Sequence, residues 1–275
     1  MRRSVSAAGV VSALSLLLLL GMVIIAVIAH VIFPEDPMAM VARPTQWPFQ
    51  SARYYLGTDQ LGRDIAAQLA YGGRVSLLIG FGAAALALLL GTGIGATAGY
   101  WGGRTDAALM RITEYFQTIP SFLFAMVLVV ILQPSITSIM FAIGITAWPQ
   151  VARLSRAEVM RVRKVDYVAA ATMMGLSHSR ILLRHILPNS IMPVVVISAA
   201  VVAHAILVEA ALAFLGLGDP NVVSWGSMIG NARQLLRTAW YMTALPGLAI
   251  FLTVICLTLL GNHLADRLNP RLGER

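Results

Sequence analysis

Apolar residues fall in six long runs: Val10–Phe33, Val75–Ala98, Tyr115–Leu132, Ile136–Ala152, Ile191–Val208 and Ala239–Gly261. None contains Asp, Glu, Lys or Arg, and His30 and His204 are their only imidazoles. A hydrocarbon core of about 30 Å needs roughly 17–25 apolar residues in one helix, so each run predicts a span. The fold class expected is all-α: a polytopic membrane protein with six transmembrane helices. Only Gln133-Pro134-Ser135 separates the third and fourth runs, which are one helical hairpin or a broken pair; we count two spans. The first run follows Arg2 and Arg3, but its apolar stretch exceeds the roughly 7–15 residues of a secretory signal core. No Ala-x-Ala site precedes Pro34, so the run reads as a retained anchor.

The runs divide the chain into a first helix with its tail (1–33), a loop (34–74), a core (75–262) enclosing a second loop at 153–190, and a terminal tail (263–275). Composition agrees. Hydrophobic residues make up 58%, charged residues 12%, and mean hydropathy is +0.79; a soluble domain carries about twice that charge. The net charge of +8 would suit nucleic acid, but its distribution follows membrane sidedness. With both termini inside, 14 basic residues lie on the inner side and six outside, as the positive-inside rule requires. Both termini are therefore expected on the inner, cytoplasmic side of a membrane, with no nucleic-acid partner.

An energy source is not visible in the chain. The only lysine, Lys164, follows Arg163, whereas a P-loop needs Gly before its lysine. Gly91, Gly95 and Gly99 make a small-residue groove for close helix packing. The histidines show no i, i+4 pair, and one cysteine, Cys256, excludes a thiolate cluster. We expect no catalytic residue, metal or cofactor on this chain. Arg111 and Glu114 make an ordinary i, i+3 helix pair. Glu209 is the acid nearest a span, costly in lipid; it is either a hydrogen-bonded helix lock or a pathway residue.

Within the 153–190 loop, Val165–Gly175 reads as a short helix, with Asp166 at its positive end and Gly175 in a left-handed C-terminal position. Ser177 can cap a second helix, His178–Leu187, with Ile181, Leu182 and Ile186 on one face. Pro188 bars that helix from running straight on. The first piece presents Ala169, Ala170, Met173 and Met174 together, which suits docking of a partner.

Ala169-Ala170-Ala171-x-x-x-Gly175 followed by Arg184-His185-Ile186-Leu187-Pro188-Asn189 resembles the "EAA" loop of ATP-binding-cassette (ABC) importer permeases. Leu56-Gly57-Thr58-Asp59-Gln60-Leu61-Gly62-Arg63-Asp64, Phe214–Gly218, Ser224-Trp225-Gly226 and Asn269-Pro270-Arg271-Leu272 resemble the second permease of the dipeptide/oligopeptide/nickel branch. The match spans about four fifths of the chain. Ala169 stands where that family has glutamate, and Asn262 and Asn269 where aspartates are common.

The resemblance implies a type I importer permease fold and several partners. These are a homologous second permease, two ATPase subunits or domains carrying ATP and Mg, an extracytoplasmic substrate-binding protein and the bilayer. It implies peptide as cargo, with nickel or a metal chelate as the alternative. Asp166, Ala169, Ala170, Met173, Gly175, Ser177, Arg184, Leu187 and Pro188 would then form the ATPase-coupling loop. Asp59, Arg63, Asp64 and Trp225 either meet the binding protein or form a self-packed cap held by Arg63 with Asp59 or Asp64. An ion-coupled secondary carrier is the rival class; it would need charges inside the spans.

Overall fold

The computed structural model describes residues 2–268; the expected ending Asn269–Leu272 lies outside the described residues. The chain opens with α1 (Arg2–Val27) and a short α2 (Ala29–Ile32). Irregular chain then leads to α3 (Ile65–Trp101), 37 residues long and hence about 56 Å at 1.5 Å per residue. Asp64 caps α3 by accepting from the Ala66 N–H at 2.9 Å, and Gly102, at φ +65°, ends it. The helix therefore begins ten residues before the apolar run expected to form it.

Next come α4 (Gly103–Thr118), α5 (Ser121–Leu132) and α6 (Ile136–Arg163). The expected span Tyr115–Leu132 is not one helix. Pro120 disfavours helical backbone at the preceding residue; Ile119 is extended, and α4 and α5 meet at an 85° bend. Beyond α6 lie α7 (Asp166–Met173), then α8 (His178–Arg180), a π-helical stretch (Ile181–Ile186) and α9 (Leu187–Ser190). Last are α10 (Met192–Leu212), which widens into a π-helical turn at Ala213–Leu217, α11 (Trp225–Ala232) and α12 (Tyr241–Leu268).

Among the described residues four helices are long and apolar enough to cross a membrane, or five if the bent α4–α5 pair is one span. α6 is not among them, and its place follows from packing. Gly82 lies on Met140, Gly91 on Val151 and Gly99 on Val159, so α3 and α6 run parallel. Two parallel neighbours require the chain to travel back between them, and α4–α5 is the connection that does so. The C-terminal half of α6 is charged and depresses its hydropathy, yet it stays helical as far as Arg163.

Gly91, Gly95 and Gly99 form the seam between these helices. A Cβ on Gly91 would sit 2.5 Å from the Val151 Cβ, one on Gly99 2.7 Å from the Arg156 carbonyl, and one on Gly95 would overlap the Ala152 carbonyl. α1, α10 and α12 pack antiparallel or parallel around one end of α3, burying Leu77, Ile206, Met242 and Leu257. α5 joins α3, α6 and α10 through Val129, Ile139, Ile143 and Leu212. The outward faces of α1, α5 and α12 leave Leu17, Ile131 and Phe251 exposed, as lipid-facing helices do.

Candidate functional site

At one end of the bundle α7–α9 form a two-piece arm. Asp166 occupies the first turn of α7. The helix closes on a Schellman arrangement: the Leu176 N–H reaches the Ala171 carbonyl at 3.3 Å and the Gly175 N–H reaches Thr172 at 3.0 Å. Gly175 has φ +74°, the left-handed conformation expected. Ser177 sits at the start of α8, but its side chain makes no cap bond.

Pro188 does not stop the second piece, which continues to Ser190. Through the π-helical stretch the Leu187 N–H bonds to Leu182; this wider turn gives the proline ring room and removes the clash expected of it. The break falls at Ile191, ahead of Pro193 at the start of α10.

The arm is held by its apolar face. Val168 and Ala171 of α7 and Ile181, Leu182 and Ile186 of the second piece pack on Ala96 and Tyr100 of α3 and on Val159 and Val162 of α6. Tyr100 Oη lies 2.8 Å from His178 Nδ1, and Tyr167 Oη donates to the His185 carbonyl at 3.0 Å. The opposite face is open: Met173 is 83% exposed and Met174 73%. Asp166, Ala169, Ala170, Gly175, Ser177, Arg184 and Pro188 are exposed with them, while Leu187 is half-buried. Two adjacent bare methionines on a firmly seated helix form an adaptable apolar contact surface.

The opposite end carries a cap. Thr58 is fully buried; its hydroxyl donates to the Arg43 carbonyl at 2.6 Å and accepts from the Gln46 N–H at 3.0 Å. Tyr241 Oη donates to the Gln46 carbonyl at 2.8 Å. Asp59 accepts from the backbone N–H groups of Leu61 and Arg63 and from the Gln68 amide. Arg63 makes no ion pair among the described residues; its guanidinium reaches Met38 Sδ instead. The cap is self-packed, but backbone acceptors and Asp59 hold it, with an exposed Arg53–Glu35 ion pair at 2.6 Å, rather than a pair made by Arg63. Burial pushes the Asp64 carboxyl above the usual carboxylate range, against the lowering effect of the Ala66 and Ala67 N–H groups.

Trp225 needs correction as a partner-contact residue. It is 3% exposed, its indole N–H donates to the Leu69 carbonyl at 2.9 Å, and its ring lies against Gly72 and Gly73. A side chain so enclosed has no surface to offer a partner. Its backbone N–H donates to Ser76 Oγ at 3.2 Å, and Ser76 donates to Glu209 Oε2 at 2.9 Å. Glu209 is 1% exposed. The node ties α3, α10 and α11 together, and Ser76, its middle member, carried no sequence signal. Among the described residues Arg111 and Glu114 form no ion pair; instead Arg156 of α6 grips Asp106 of α4 with two hydrogen bonds.

Residues 91–274 match the family described as the inner membrane component of binding-protein-dependent transport systems. The chain belongs to that family. The permease is 38% identical over 263 residues to the di/tripeptide transport system permease protein DppC of Pseudomonas aeruginosa, covering 94% of this chain and 87% of that one. It is 33% identical to the oligopeptide transport system permease protein OppC of Haemophilus influenzae, covering 94% and 83%. Among solved structures it is similar to the inward-facing MetNI methionine ABC transporter, with TM-score 0.60 and 15% identity, covering 74% of this chain and 96% of that one. The fold is thus that of an ABC type I importer permease.

Proposed function

We propose that the permease forms half of the pathway of an ABC importer for di- and oligopeptides delivered by an extracytoplasmic binding protein. The carrying observation is the arm, anchored by Val168, Ala171 and Ile186 yet bare at Met173 and Met174. That is the shape of a lever awaiting a second body. The surplus of basic residues at the same end supports a cytoplasmic location for it, where two ATPase subunits carrying ATP and Mg would seat it. A homologous permease completes the pathway. The names of the relatives support peptide as cargo.

In this mechanism ATP-driven closure of the ATPases displaces α7. Because α7 shares one apolar cluster with the ends of α3 and α6, the displacement passes to both helices rather than being lost in a loop. Taking a gate from 1:99 to 99:1 requires about 5.5 kcal/mol of differential binding. The test is reconstitution with cognate ATPases and binding protein. Peptide-loaded binding protein should stimulate ATP hydrolysis and uptake; uptake by the permease alone, driven by an ion gradient, would defeat the proposal.

A further inference from the structure

Resting on the importer reading, we infer that a cavity of about 210 Å³ between α5, α6 and α10 is a stretch of pathway wall that contacts the cargo. Its polar lining is Ser121, Thr146, Gln150 and His204, set among Ile197 and Val201. His204 lies at the midpoint of the apolar stretch Met192–Leu217, and His204 and Gln150 are both exposed on this chain. An imidazole and a carboxamide at mid-membrane depth are costly against lipid and belong at an interior or water-filled surface.

A second feature converges there. Ser121 follows the Ile119-Pro120 break between α4 and α5, and irregular backbone at membrane depth is tolerated only where protein buries it or water reaches it. The lining is also free of Asp, Glu, Lys and Arg. It offers amide, hydroxyl and imidazole groups, which match the hydrogen-bonding backbone of a short peptide whatever its side chains.

The experiment uses the assembled transporter in vesicles, with Cys256→Ser removing the native thiol and His204→Cys or Phe251→Cys adding one. Phe251 is exposed on the outward face of α12, away from the cavity. A water-soluble thiol reagent should modify the His204→Cys complex and leave the Phe251→Cys complex largely unmodified. Peptide at about ten times its Kd should slow the His204→Cys reaction about ten-fold. Equal inertness at both positions would overturn the inference, and so would reaction at position 204 that peptide does not slow. If the Cys256→Ser complex neither assembles with ATPases nor hydrolyses ATP in response to binding protein, the importer reading fails instead.

Discussion

Gly95→Ala isolates the α3–α6 seam, because the same change two residues away provides its control. A Cβ at Gly95 would overlap the Ala152 carbonyl and lie 2.8 Å from the Ser155 Cβ and 2.9 Å from the Arg156 nitrogen, whereas at Gly93 it meets nothing within 4 Å. Two of these obstacles are backbone atoms, which cannot rotate aside. Restoring ordinary contacts of about 3.5 Å requires the helices to part by at least roughly 0.7 Å beside Ser155, and by more at the Ala152 carbonyl. A gap of that size forfeits about a quarter to a half of the dispersion attraction of the atoms it separates. The expected cost is about 1–3 kcal/mol, the range for overpacking. Reversible unfolding of the purified permease in mixed micelles measures it. Gly93→Ala should equal the parent or exceed it by up to about 1 kcal/mol, since alanine is the better helix former where nothing obstructs it. Equal stability of the two variants would refute the close-packed seam.

Three further outcomes are expected. Glu209→Ala should cost about 1–3 kcal/mol by leaving the Ser76 hydroxyl buried without its acceptor, while Glu209→Gln retains most of the stability; the same unfolding assay separates them. Thr58→Val removes the two hydroxyl bonds to the Arg43–Gln46 stretch, so trypsin should cut after Arg53 of the same loop several-fold faster, read by gel on intact vesicles. Gly175→Pro cannot adopt φ +74°; it should leave membrane insertion unchanged, measured by fractionation, while ATP hydrolysis in the reconstituted complex no longer drives uptake.

Much of this was legible in the chain. Gly175 announced its left-handed turn because only the end of a helix needs that backbone there. The glycine seam showed in a four-residue period, and four of the six apolar runs each fall almost wholly within one helix. Hydropathy failed where it measures the wrong quantity. It saw no break at Ile119-Pro120, since both residues are apolar, although the proline itself was the signal. It ended α6 at Ala152 and began α3 at Val75, since helices continue into water once they are capped or paired.

Long-range chemistry was hidden for a different reason. Ser76 and Glu209 are 133 positions apart, and nothing local distinguishes a buried serine from an exposed one. Trp225 misled through its place in a polar-looking segment; Gly72 and Gly73, which receive its ring, were the unread complement.

The most direct measurement places a thiol at the tip of the arm. With Cys256→Ser and Met173→Cys in the assembled complex, a short bifunctional thiol reagent should join the permease to an ATPase subunit bearing a cysteine in its groove, and ATP should alter the yield. No adduct in a complex that demonstrably contains the ATPases, or modification of Met173→Cys by an impermeant reagent added outside sealed cells, would contradict the lever.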